Sequence, residues 1–270
     1  MSELGRIYGF FEKQVNLYRK FWVWEFTWIF YAIVTTLSIG LIGAGMNELT
    51  GGDVDTKEVT LYLLVGSIVW GYLAIVFWEI SHTISLERWE GTLEYTFMAP
   101  VSRISHLLGT SIFALTYGIF RTSIVFVIAV LFFEISFGGM NMAGALLILA
   151  VSSMAFVGLG MIAAIFPLLS PEKGSQFNHI IEASIMMVSG IFYPITVLPG
   201  WMQVLSKFSP ATYTIEGMRK AILEGYTIPQ LMPYIKPLII LGVICIPAGI
   251  LIFQQVEKHV KKVGNLKRNG

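Results

Sequence analysis

The amino-acid sequence predicts an all-α, polytopic membrane protein. Six transmembrane helices are expected, with an amphipathic interface helix at the N-terminus, a short cytoplasmic helix between the second and third spans, and an outer re-entrant helical hairpin. Three observations carry this prediction. The 270 residues are 55% hydrophobic and 13% charged, with mean hydropathy +0.71, whereas soluble domains carry about a quarter charged residues. Six stretches reach the ~20 apolar residues that a bilayer crossing needs. Basic residues are also distributed unevenly around those stretches.

The stretches are Phe26–Met46, Thr60–Ile80, Leu108–Phe133, Ala143–Leu169, Phe177–Leu198 and Tyr234–Phe253. The fifth is unusual, with His179 and Glu182 near its start and Pro194 and Pro199 interrupting its end. Six crossings put both termini on one side. With that side cytoplasmic, twelve lysines and arginines face inward, among them Arg6, Lys13, Arg88, Arg103, Lys173, Lys261, Lys267 and Arg268. Five face outward: Lys57, Lys207, Arg219, Lys220 and Lys236. The positive-inside rule therefore sets the termini in the cytoplasm.

Residues 1–23 form the interface helix. Leu4, Ile7, Tyr8, Phe11, Val15 and Tyr18 recur at helical spacing, and Glu3, Arg6, Glu12, Lys13 and Arg19 fall mostly elsewhere on the wheel. Mixed charge and the length of the following apolar run argue against a cleavable signal peptide. Trp22, Trp24 and Trp28 follow at headgroup level. The membrane domain spans 24–256, and a basic cytoplasmic tail is expected over 257–270.

The most charged loop is Glu87–Arg103. Residues 80–98 lack proline, and Pro100 marks a break. Leu86, Trp89, Leu93 and Phe97 recur at three- and four-residue steps, predicting one apolar face with Glu87, Arg88, Glu90 and Glu94 projecting elsewhere. On the outer side, Pro194 and Pro199 stop regular helix, while Leu198, Trp201, Met202, Leu205 and Phe208 form another apolar stripe. A short helix is expected from Thr212 to Leu223, after Pro210. So apolar a segment reads as a broken hairpin dipping into the membrane.

Chemistry of the chain's own finds little support. The nearest approach to a phosphate-binding glycine loop, Gly66 to Gly71, is followed by Tyr72 instead of lysine. His82, His106, His179 and His259 are scattered, the sole cysteine is Cys245, and no metal site is expected. A net charge of +1 gives no reason to expect nucleic acid. The intramembrane charges are Arg121 on the third span, Glu182 on the fifth and Glu79 at the inner end of the second; comparable depth suggests an Arg121–Glu182 pair.

Taken in order, the N-terminal helix, the six spans, Glu90-Gly91-Thr92-Leu93-Glu94 ending in Pro100-Val101-Ser102-Arg103, and Ser189-Gly190…Pro194…Leu198-Pro199 followed by Ser209-Pro210 and Arg219 resemble the type-2 ABC-transporter permeases. The resemblance covers about residues 5–258 and looks closer to the drug- and antibiotic-export branch than to polysaccharide exporters. It implies a half-transporter in the cell membrane that pairs with a second permease, either another copy or a paralogue. Two copies of a separate ABC ATP-binding subunit would carry Mg-ATP, and no cofactor would sit on this chain. In family terms Glu87, Arg88, Glu90, Gly91, Thr92, Leu93, Glu94, Pro100 and Arg103 would couple to the ATPase. The first and fifth spans would form the dimer seam. Trp70, Tyr72, Phe77, Met186, Ser189 and Phe192 would line the path, and Pro194, Pro199, Trp201, Pro210 and Arg219 would build the outer gate. The expected cargo is a hydrophobic or amphipathic drug, antibiotic or lipid. The alternatives are polysaccharide or glycolipid export by the same architecture, and an ion-gradient-driven secondary transporter using Arg121 and Glu182.

Overall fold

Several helix starts follow from residues that cap them. The Ser2 hydroxyl accepts the Gly5 N–H (3.3 Å) and opens α1 (Glu3–Lys20). The Asp55 carboxylate accepts the Lys57 and Glu58 N–H groups (3.0 and 3.2 Å) and opens α4 (Thr56–Glu90). Ser102 and Asn141 do the same for α6 (Arg103–Phe133) and α7 (Met142–Ala163). Pro210 stands in the first turn of α11 (Pro210–Ile222), where its missing N–H costs nothing. The computed structural model describes residues 2–52, 54–136, 138–170 and 173–263, and the regular structure among them is helical.

Five helices are long and apolar enough to cross a membrane: α2 (Trp22–Ala44), α4, α6, α7 continued by α8 (Ile165–Leu169), and α12 (Ile228–Val263). Each covers one of the expected stretches. The fifth stretch behaves differently. There α9 (Gly174–Val188) has 15 residues, roughly 22 Å at 1.5 Å per residue, short of the ~30 Å hydrocarbon core. It stops because Gly190 adopts φ +67°. A 3₁₀ turn (Ile195–Val197), α10 (Gly200–Ser206) and α11 follow. The remaining short helices are α3 (Met46–Thr50) and α5 (Leu93–Met98). The tail expected from residue 257 is not separate, because α12 continues to Val263; residues 264–270, with Lys267 and Arg268, lie outside the described residues.

At the centre stands α4, packed against α2, α6, α7, α9 and α11. Leu64, Leu73, Val76, Phe77, Ile80 and Ile84 on it are buried. Trp24, Phe26, Trp28 and Tyr31 on α2, and Ile240, Val243 and Ile244 on α12, are exposed. Contiguous apolar surface of that kind suits lipid instead of water. α1 lies against α6.

Between α7 and α12 the backbones run close, because glycine faces side chain or backbone on both sides. A Cβ on Gly158 would come within 2.5 Å of the Cys245 Cβ and 2.6 Å of the Cys245 carbonyl carbon, and one on Gly249 within 2.8 Å of the Met161 Cβ. Small residues at a helix seam trade side-chain volume for close packing, the main attraction available between helices in lipid. Pro233, Pro237 and Pro247 lie inside α12, tolerated in membrane helices where neighbours cover the freed backbone.

Gly158→Ala is therefore expected to cost about 1–3 kcal/mol through overpacking, read as a lowered thermal unfolding midpoint in detergent. At Gly71 an added Cβ meets nothing within 4 Å, so Gly71→Ala should leave the midpoint unchanged or slightly higher. Equal midpoints for Gly158→Ala and wild type would show that α7 and α12 separate freely.

Candidate functional site

The lower end of α4 turns sharply. Gly91 takes φ +73°, its N–H donates to the Arg88 carbonyl (3.1 Å), and the Thr92 N–H donates to the Glu87 carbonyl (2.8 Å). This left-handed cap ends α4, and α5 begins two residues later. The break changes the helical phase, so the single apolar face expected across Leu86, Trp89, Leu93 and Phe97 does not form. Leu93 and Phe97 are buried, whereas Trp89 is 66% exposed, Tyr95 78% and Met98 83%.

The charges reverse as well. Glu87 and Arg88, expected to project outward, are buried. The Glu87 carboxylate accepts from Lys13 Nζ of α1 (2.7 Å) and lies 3.0 Å from His106 Nε2 of α6. Buried Arg103 donates through Nε to Glu257 of α12 (2.9 Å), and through its two amino groups to the Thr96 and Phe97 carbonyls (2.8 and 3.0 Å). Its guanidinium also sits 4.6 Å from the centre of the Phe97 ring. The fork of a guanidinium thereby satisfies carbonyls that the end of α5 leaves without helical partners. Glu257 takes a second cation, Lys261 Nζ, at 2.7 Å. Glu94 and Pro100 are exposed, and Glu90 and Thr92 half-buried. The elbow is thus bonded to α1, α6 and α12 while its outer skin is aromatic and apolar.

At the opposite end, Arg219 of α11 organises the broken segment. It donates to the Gly190 carbonyl (2.8 Å), to the Ile191 carbonyl and to the Tyr62 carbonyl of α4 (3.3 Å), with its guanidinium 3.4 Å from the Tyr62 ring centroid. Only glycine fits at position 66 of α4, since a Cβ there would collide with the Ile191 carbonyl. Ser189 and Ser209 hydroxyls meet at 2.7 Å, and Gln203 Nε2 donates to the Leu198 carbonyl (2.8 Å). Pro194 and Pro199 precede the 3₁₀ turn and α10. Trp201 and Phe208 are exposed.

Between these ends the expected lining is only partly on the surface. Tyr72 and Phe77 are buried, and the Tyr72 hydroxyl meets Ser153 Oγ of α7 at 2.7 Å. Ser189 is buried against Ser209. Met186 and Phe192 are exposed and Trp70 half-buried. The half-buried stripe of α4 is instead Gly71, Ile75, Trp78 and His82. The Trp78 indole stacks on His82 (4.7 Å between centroids, 12°) and on His179 of α9 (4.4 Å, 29°). Sequence reasoning missed these three rings. Their signal was Trp78 and His82 at i and i+4, in helical step with Gly71 and Ile75.

Nor does the suggested Arg121–Glu182 pair form. Arg121 donates to the Trp28 carbonyl of α2 (2.9 Å), whereas Glu182 lies 3.9 Å from His179 on its own helix. Their helices, α6 and α9, both pack on α4, with the two side chains engaged by different partners. Glu79 accepts from the Tyr18 hydroxyl of α1, and Glu25 from Tyr117. Among the described residues no group of His, Cys, Asp and Glu could hold a metal ion.

A family model described as "ABC-2 type transporter" matches residues 10–223. The chain is 24% identical over 168 residues to the linearmycin resistance permease protein LnrN of Bacillus subtilis (strain 168), an alignment covering 62% of this chain and 43% of that protein. Over 261 residues it is 24% identical to ABC transporter G family member 20 of Dictyostelium discoideum, covering 92% of this chain and 35% of that protein. It is 22% identical over 162 residues to the "Probable multidrug ABC transporter permease YbhR" of Escherichia coli (strain K12), covering 60% of this chain and 43% of that protein. The chain thus spans under half the length of these relatives.

Arg219→Lys keeps the charge but cannot serve several carbonyls at once. Losing one charge-assisted hydrogen bond costs about 1.5–3 kcal/mol, so amide exchange across residues 189–209 should accelerate by about tenfold or more. Unchanged exchange in that segment would show that Arg219 does not hold it.

Proposed function

The chain belongs to the ABC-2 type transporter family, and on that premise we propose that it is the transmembrane permease subunit of an ATP-driven exporter, forming with a second permease the path for a hydrophobic or amphipathic cargo. The observation that carries this reading is the elbow at Gly91. A motor in the cytoplasm needs a surface to push and a stiff connection from that surface to the spans. Trp89, Tyr95 and Met98 offer the first: large, exposed, apolar side chains at the turn between two long helices, of the kinds enriched at protein interfaces. Glu90 and Glu94 stand at its rim. Buried Glu87 and Arg103 offer the second, since their bonds reach α1, α6 and α12.

In this reading the elbow rests on a separate ABC ATP-binding subunit, two copies of which hold Mg-ATP and perform the hydrolysis. α9, with the segment through Leu198, forms the fifth of six crossings in the plasma membrane, and both termini are cytoplasmic. The Pro194–Phe208 segment, with Trp201, Pro210 and Arg219, acts as the outer gate. ATP binding shifts the balance between inward- and outward-open states only by its differential affinity for them, so transmission requires the elbow to stay docked. The names of the Bacillus and Escherichia relatives, a linearmycin resistance permease and a multidrug permease, favour a small hydrophobic cargo over a polysaccharide. A gradient-driven carrier built on Arg121 and Glu182 has less to stand on, because those residues bond to separate partners.

Tagged chain purified from its native membranes in mild detergent is expected to retain an ABC ATP-binding subunit at roughly equal stoichiometry. Absence of any such subunit, even after cross-linking, would remove the reading. Tyr95→Glu places a charge on the exposed apolar skin and should abolish cargo-stimulated ATP hydrolysis while expression and elution volume stay those of the wild type. Wild-type stimulation in that variant would separate the elbow from the motor.

A further inference from the structure

The side of α4 that turns from the core carries Gly71, Ile75, Trp78 and His82, which share one helix face. Toward the Gly71 end that face lines a small crevice with Thr36 of α2 and with Arg121, Thr122 and Val125 of α6, and Trp78 and His82 are the part that meets α9. Beside it α9 presents His179, 64% exposed in its side chain, and Glu182 at 3.9 Å from it. Trp78 stacks on both the His82 and His179 rings, so three rings gather beside a carboxylate.

Glu182 is the sole acidic residue of α9, which has no lysine or arginine. Among the described residues no lysine or arginine lies within ion-pair distance of it; its one such neighbour is His179, which brings no charge while neutral. On the face of α9 that carries the pair, Met186 stands one turn beyond Glu182 and is exposed and apolar. A carboxylate on such a face at membrane depth is costly without a counter-ion. A cation that carries its own apolar body removes that cost, and the rings add the attraction of π faces for positive charge. Thioethers adapt to bodies of different shape.

We infer that the face shared by α4 and α9 binds lipophilic organic cations, Glu182 supplying the charge and His82, Trp78 and His179 the aromatic surface. The inference rests on reading α4 and α9 as path-lining helices. It makes the cargo preference one of charge sign as well as hydrophobicity.

The test is equilibrium binding to the intact permease assembly in lipid nanodiscs, corrected against empty nanodiscs. The probes are tetraphenylphosphonium and tetraphenylborate, which share size and shape and differ in charge. Wild type should prefer the cation. Glu182→Gln should weaken tetraphenylphosphonium by about tenfold, the scale of one desolvated charge contact, and leave tetraphenylborate unchanged. His179→Ala removes the most exposed ring and should weaken the cation by about threefold; it decides the matter if Glu182→Gln fails to assemble. Equal affinity of wild type for the two ions overturns the inference, including the case in which the second permease supplies a cation to Glu182. A cation preference that survives both substitutions overturns it too. Because no ATP is used, the result is independent of the exporter reading. Absence of a copurifying ATPase defeats that reading alone, and a bound ATPase without charge preference defeats this inference alone.

Discussion

Three helices meet at the carboxylate of Glu87. One oxygen takes the Lys13 ammonium of α1 and faces His106 of α6, while the residue itself ends α4. A buried carboxylate stripped of its partners is strongly destabilising, by about 3–5 kcal/mol when one member of a buried pair is removed. The turn at Gly91, the placement of α5 and the contact of α1 with α6 all follow from keeping that charge satisfied. Arg103 repeats the arrangement one turn away, with two carbonyls and Glu257 as its partners. Glu87 and Arg103 are engaged in bonds inside the elbow, while Trp89, Tyr95 and Met98 share its outer skin with the exposed Glu94.

The opposite end of the molecule solves a different problem with the same chemistry. Ending α9 after 15 residues leaves carbonyl groups without helical partners in apolar surroundings. Arg219 collects those of Gly190 and Ile191 and joins them to Tyr62 of α4. A single guanidinium thus makes the broken segment part of the helix bundle. Glycine at position 66 lets that segment approach α4 closely. The Ser189–Ser209 hydroxyl pair and the Gln203–Leu198 bond tie the rest of the segment together.

Much of this architecture is legible in the sequence. Apolar runs locate the five long helices, since burial in lipid demands length and hydrophobicity and little else. Pro194, Pro199 and Pro210 locate the breaks, because proline lacks the donor a helix needs. The expected fifth span fails as a continuous helix at Ser189-Gly190, where a left-handed glycine outweighs apolar character. Around Glu87–Arg103 periodicity misleads: the left-handed Gly91 separates the phase of Leu93 and Phe97 from that of α4, where Glu87 and Arg88 stay in step with buried Phe77, Ile80 and Ile84 and leave Trp89 outward. The Arg121–Glu182 pairing fails for a related reason. Depth along a span is readable, but the direction a side chain faces around it depends on which helices pack on either side. Tyr72 and Phe77 show the same gap, being in the core while their near neighbours Gly71 and Trp78 are half-buried.

With 35 residues, α4 is roughly 52 Å long at 1.5 Å per residue, well beyond a hydrocarbon core of ~30 Å. It is therefore long enough to reach past both faces of a bilayer, held near one end at Glu87 and near the other at Tyr62. A tilt of about 10° around its midpoint displaces each end by roughly 4–5 Å in opposite directions, given that length. At Tyr62, nearer the midpoint, the same tilt moves the carbonyl by about 3 Å at 1.5 Å per residue, comparable to the 3.3–3.4 Å bonds it accepts from Arg219. In the proposed exporter, a push at one face of the bilayer would load the Arg219 bonds at the other with no hinge inside the membrane.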